Sequence, residues 1–138
     1  MMRPFFYVPL AFLLTACATT HAIDPQLAST SLADAQIIEV KLSNFDFGPS
    51  TIRMEAGKAY ALHIENTSSG GHDFTAPEFF AASRVAPEDV ASVRDGQVEL
   101  GGGQSATIHL VPSAGTYSLV CTHVGHALFG MKGTIVVS

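Results

Sequence analysis

Between Cys121 and Met131 the chain reads CTHVGHALFGM. One short stretch holds a thiol, two imidazoles and a thioether among small and apolar neighbours. Thiolate and thioether are soft donors, and imidazole is intermediate. Soft sulfur selects copper, zinc or iron–sulfur clusters over magnesium and calcium. An iron–sulfur cluster takes about four thiolates, and this stretch offers one. Structural zinc takes Cys and His but not Met. A set of two His, one Cys and a weak axial Met suits a copper ion that exchanges one electron.

The stretch supplies Cys121, Met131 and a choice of His123 or His126. A second imidazole must come from elsewhere. His72 is the best supplier, because it follows Gly70-Gly71 at the end of a strand pattern. His63 and His109 fall on the polar faces of alternating segments and are expected at the surface. His21 sits in a polar N-terminal segment and is expected to be exposed. Read without metal, CTHVGHALFGM is a hairpin with a free thiol, a buried Met and two surface His.

The elements that must carry these residues are short strands. In IIEVKL, Ile38, Val40 and Leu42 alternate with Glu39 and Lys41, the pattern of a half-buried strand. NFDFGPS reads as a turn. Ile52 and Met54 share a face of the next strand. Tyr60, Leu62 and Ile64 alternate with Ala61, His63 and Glu65. Gln97 to Leu100, Ser105 to Val111, Gly115 to Cys121 and Gly133 to Val137 complete the strands. Gly101 to Gly103 reads as a flexible turn. Between 75 and 96 the pattern changes: PEFFAA suits a helical turn, and APEDVASV carries Pro and acids where a helix starts. The expected fold is all-β, a Greek-key sandwich with a partly helical insertion. The strand that ends at Cys121, the loop to Met131 and the strand GTIVV would then form one rigid hairpin. Gly125 and Gly130 give that loop its curvature.

VCTHVGHALFGMKGTIVV resembles the C-terminal signature of the cupredoxins, the blue copper family that includes plastocyanin, azurin and the phytocyanins. The Cys-x4-His-x4-Met spacing is similar to that of the phytocyanins. Upstream, AGKAYALHIENTSSGGHDF resembles the family's strand, Asn and His-Asp-Phe segment. The likeness covers about residues 37 to 138 without the insertion. It implies one copper ion held by His72, Cys121, His126 and Met131, cycling between Cu(II) and Cu(I) as a one-electron carrier and not as an enzyme. It implies that backbone N–H groups near Asp73 and Thr122 hydrogen-bond the sulfur. It also implies an apolar surround and docking patch of Phe74, Val124, Leu128 and Phe129. Two features depart from the family pattern. The loop lacks a Pro that many members have, and His123 is an extra imidazole. His123 is either a bystander at the rim, a substitute for His126, or a ligand to a second copper. The alternative function on the same fold is a periplasmic copper carrier or resistance protein.

The N-terminus reads as an address. MMRPFFYVPLAFLLTAC has one basic residue, Arg3, then an apolar run too short to span a bilayer. Leu14-Thr15-Ala16-Cys17 resembles a bacterial lipobox, with Cys17 the lipidated residue. The alternative is ordinary cleavage after Ala22. The expected layout is a signal over 1–17, a flexible tether over 18–35 and the domain over 36–138. The protein is then exported to the periplasm and held at a membrane by lipid. Cys121 is left as the one unmodified thiol of the domain. The chain has 138 residues, a net charge of −5 and no basic stripe. Nucleic-acid binding, which needs a basic footprint, is not expected. A monomer that meets redox partner proteins is expected.

Overall fold

The computed structural model describes residues 31–138. The signal and lipidation readings at 1–17, and the tether up to residue 30, lie outside the described residues. Two five-stranded sheets stack face to face, with strand orders β2-β1-β4-β8-β6 and β3-β10-β9-β5-β7. In the first sheet are β1 (Gln36–Ser43), β2 (Asp46–Gly48), β4 (Tyr60–Asn66), β6 (Ser83–Val85) and β8 (Ser105–Pro112). The second holds β3 (Thr51–Met54), β5 (His72–Thr75), β7 (Gln97–Leu100), β9 (Gly115–Val120) and β10 (Lys132–Val137). Most neighbours are antiparallel, but β1 pairs with β4, and β3 with β10, in parallel. The expected all-β sandwich is therefore the architecture found.

The alternating side chains explain the core. Val40, Leu42, Leu62, Ile64, Ile108, Leu110, Leu119 and Ile135 are buried between the sheets. Each such side chain contributes about 1.5–3 kcal/mol by leaving water. The insertion joins this core. Its helix α1 (Pro77–Ala81) carries Phe79 and Phe80 inward, with Phe79 against Tyr117 and Phe80 against Phe74. APEDVASV makes only a 3-10 turn at Val90–Ser92, and the strand β6, which pairs with β8, is an element the sequence pattern did not suggest. NFDFGPS likewise includes the short strand β2. Leu32 and Ala35, within the segment read as tether, pack against Ala59 and Val111.

The sandwich has two poles. Asn66, His72, Leu100, Val120 and Lys132 lie at one, as the strand registers show. Gln36, Tyr60, Gly115 and Val137 lie at the other, where Gln36 bonds Ala59 and Ser138 bonds Ala56. The chain thus enters β1 and leaves β10 at the same pole. Among the described residues no helix is long and apolar enough to cross a membrane.

Candidate metal centre

The first pole is held by side-chain hydrogen bonds of one asparagine. Asn66 ends β4, is fully buried, and donates to the carbonyls of Gly70, Leu100 and Gly101 at 2.8, 3.0 and 3.1 Å. Its Oδ1 accepts from the backbone N–H and hydroxyl of Ser68. The loop leading to His72 is thereby fixed to the end of β7. Gly101 to Gly103 is anchored too. Gly102 lies so close to Ser69 that an added Cβ would sit 2.3 Å from its carbonyl oxygen. Gln104 Oε1 accepts from the N–H of Gly101 at 2.8 Å.

Cys121 follows β9 and Met131 precedes β10, and the N–H of Cys121 donates to the carbonyl of Met131 at 3.2 Å. The loop between them is a run of turns, with Gly125 at φ 84° and Gly130 at φ 106°. Those left-handed positions favour glycine. The loop closes on itself, since His126 donates to the carbonyl of His123, and Met131 to that of His126, each at 3.0 Å.

His72, Cys121 and His126 converge. His72 Nδ1 is 3.1 Å from His126 Nδ1. Cys121 Sγ is 3.4 Å from His126 Nδ1 and 3.9 Å from His72 Nδ1. Donors bound at about 2.0–2.3 Å around one ion at trigonal or tetrahedral angles lie roughly 3.3–3.8 Å from each other. The three atoms therefore fit a single metal ion almost as they stand. Cys121 and Met131 are fully buried and His72 is 2% exposed, while His126 is half-buried. His72 Nε2 has no hydrogen-bond partner among the described residues.

Burial dominates the electrostatics. It pushes the His72 pKa down, helped by His126 and His123, which favours the neutral form of the imidazole. It pushes the Cys121 thiol up, against the backbone N–H groups of Asp73 and His123 that point at the sulfur. A metal ion that displaces the thiol proton removes that burial penalty. The sulfur's N–H partners are thus at Asp73 and beside Thr122, as expected, while the N–H of Thr122 itself is taken by the Asp73 carboxylate at 2.9 and 3.0 Å.

His123 takes a different place. Its Nε2 is 2.9 Å from Glu99 and 3.9 Å from Asp73, away from the sulfur. Its ring stacks on His126, with centroids 5.3 Å apart. Asp73, Glu99 and His123 form a second group of metal-capable atoms beside the first. His63 and His109 are half-buried and tied to other partners, Thr107 and Asp89, each within 3 Å.

The rim is apolar. Val124, Leu128 and Phe129 are each at least 70% exposed. Phe74 is not part of it; it is fully buried against Phe47 and Phe80. Its place is taken by Phe45, which stands edge-on to His126 at 5.2 Å and touches Phe129. Phe45 adopts a left-handed φ of 65°. Nothing in NFDFGPS marks that residue, since the contact depends on a conformation rare for an aromatic side chain.

A family model described as a cupredoxin-like domain matches residues 7–137. Auracyanin-B of Chloroflexus aurantiacus is 28% identical over 145 aligned residues, which cover 90% of this chain and 62% of the relative. This chain thus spans less than two thirds of that curated relative. Among solved structures, dithionite-reduced auracyanin from Roseiflexus castenholzii superposes with a TM-score of 0.57 at 22% identity, over 75% of this chain and 98% of the other. The McoA multicopper oxidase of Aquifex aeolicus gives 0.60 at 14% identity, over 78% of this chain and 30% of the oxidase. Both structural likenesses speak to the fold.

Proposed function

This chain belongs to the cupredoxin-like family, and on that premise we propose that it is an exported electron carrier with one copper ion. His72, Cys121, His126 and Met131 would hold the ion. Bound there, copper supplies a one-electron couple between Cu(II) and Cu(I). The observation that carries the reading is the convergence of three donor atoms of the matching type within a few ångströms, inside a hydrogen-bonded frame.

The residues around the site do the rest. Cys121 provides a thiolate shielded from water, with two backbone N–H groups directed at it. His72 keeps a neutral imidazole in the interior. Met131, itself fully buried, brings a thioether and faces Cys121 across one backbone hydrogen bond. Because β4, β5, β9 and β10 fix these positions, the donors need little rearrangement when charge changes. His126 is the half-exposed member, bordered by Phe45 and Phe129. It is the natural port for an electron. The exposed Val124, Leu128 and Phe129 offer a partner a dry contact around that port.

The relatives named auracyanin and the multicopper oxidase both fit the fold. The carrier reading is preferred because one set of soft donors accounts for the cluster. Export rests on the N-terminal sequence, with Cys17 lipidated and the domain held near a membrane.

Copper loading of the full chain followed by optical and spin-resonance spectra tests the reading. An intense visible band from thiolate-to-copper charge transfer is expected, bleached by reductant and restored by oxidant. A colourless Cu(II) adduct would favour copper handling over electron transfer. Replacing Cys17 with Ala should move the protein from the membrane to the soluble fraction, and continued membrane retention would refute lipidation.

A further inference from the structure

The outer face of the first sheet carries another gathering of ligand-type side chains, away from Cys121. Glu39, His63 and Thr107 stand side by side on β1, β4 and β8, and Ile37, Ala61 and His109 form the next row two residues along. These six line a depression of about 280 Å³. Ala61 and Thr107 are short and leave room between the longer side chains. His63 is three residues before Asn66 on β4, which sets the depression on the flank, about 10 Å from the pole.

Both imidazoles are already oriented through one ring nitrogen. His109 Nδ1 is 2.8 Å from Asp89 Oδ2, and the same oxygen accepts from the His109 backbone N–H. A carboxylate accepts, so Nδ1 carries the proton and a neutral ring keeps its lone pair on Nε2. His63 Nδ1 is 2.9 Å from Thr107 Oγ1, a partner able to accept in the same way, and its Nε2 is 4.0 Å from Glu39 Oε2. An imidazole that gives one N–H to an oxygen and offers its other nitrogen is the usual form of a metal ligand. His63 and His109 are diagonal neighbours on adjacent strands. Such positions lie about 7–8 Å apart, near enough for two rings to reach one ion. The donor atoms here are not drawn to within 4.8 Å of one another, as those at the pole are. The Glu39 side chain is 61% exposed, so a change of rotamer can bring its carboxylate onto an ion, with water in the remaining position. The insertion gains a task in this arrangement, because Asp89 belongs to it.

We propose that His63, His109 and Glu39 form a second metal site, open to solvent, for Zn(II) or Cu(II). Two imidazoles, one carboxylate and water suit either ion, and a site without sulfur gives no thiolate band. The site stands independently of the copper reading above.

The test is a Zn(II) titration of the full chain against a chromophoric chelator, in a Cys121→Ser, His126→Ala background that removes donors at the pole. One Zn(II) per chain should still bind. Adding His63→Ala or His109→Ala should weaken that binding by more than about 100-fold, and Asp89→Asn by about tenfold or more. Adding His123→Ala should leave it unchanged, which separates this site from the group of Asp73, Glu99 and His123. Cu(II) in the same background should give a spin-resonance spectrum with nitrogen couplings and no intense visible band. Far-ultraviolet dichroism checks that each variant folds. Should the background variant not fold, the copper-loaded unmodified chain should take up Zn(II) as an additional ion with the same dependence on His63. Zn(II) that does not bind, that is indifferent to both His63→Ala and His109→Ala, or that is lost with His123→Ala instead would overturn the proposal. A native chain without a thiolate-to-copper band would sink the copper reading and leave this site untouched.

Discussion

At the scale of single residues, the two histidines of the loop should separate cleanly. His126 Nδ1 faces both His72 and the sulfur, while His123 Nε2 faces Glu99. Removing a residue that merely supports a metal site costs about 10–100-fold in affinity. His126→Ala should therefore lose more than about 100-fold and the visible band, and His123→Ala less than about tenfold with the band kept. Copper titration of both variants checks this, and the reverse order would reassign the site. Cys121→Ser should abolish the visible band outright, since Cys121 is the only thiol among the described residues; a band that persists would refute a thiolate chromophore. The residue types and spacing of CTHVGHALFGM announced the donor set because soft side chains rarely gather by accident. They did not announce Phe45, whose contact depends on a backbone twist. Nor could they place Phe74 inside, where strand register, not proximity to His72, decides exposure.

At the scale of elements, period-two alternation made β1, β3, β4, β7, β8, β9 and β10 legible, because each has one face on the core. β2 and β6 are three residues long and too short to show a period, and β5 begins at His72, which the sequence pattern placed at the end of a strand. APEDVASV had good helix-start residues but only a 3-10 turn, because no apolar stripe commits it to a longer helix. The turn at Gly101 to Gly103 shows the opposite error. Three glycines suggest freedom, yet Gly102 is there to let Ser69 approach. The clamp at Asn66 joins these loops. Asn66→Ala would leave buried carbonyls without donors and should cost about 3 kcal/mol. Denaturant unfolding measures that loss. Because the clamp also steadies the segment before His72, the copper affinity should fall with it. A variant of wild-type stability would show that the clamp is idle.

At the scale of the whole molecule, the donors stand ready at one pole before any ion arrives. Copper should therefore raise the melting temperature without a change in far-ultraviolet dichroism. At free copper 100-fold above the dissociation constant, the gain is about 2.7 kcal/mol. A large gain in secondary structure on loading would contradict a preformed site. Substituting the exposed Leu128 with Asp should leave the spectrum alone and slow electron exchange with a protein partner by about tenfold. Stopped-flow oxidation of the reduced protein reads that rate, and an unchanged rate would move the contact elsewhere. The poles themselves have a practical meaning. β1 and β8 are eight residues each, which sets the two ends roughly 25 Å apart. The entry to β1 and the ligand loop are thus at opposite ends. A bead, a fluorophore or a neighbouring domain joined at residue 36 or 138 leaves the ligand loop turned outward and unobstructed. On an electrode the same geometry would hold the loop away from the metal surface, where a soluble mediator can reach it and the electrode itself cannot.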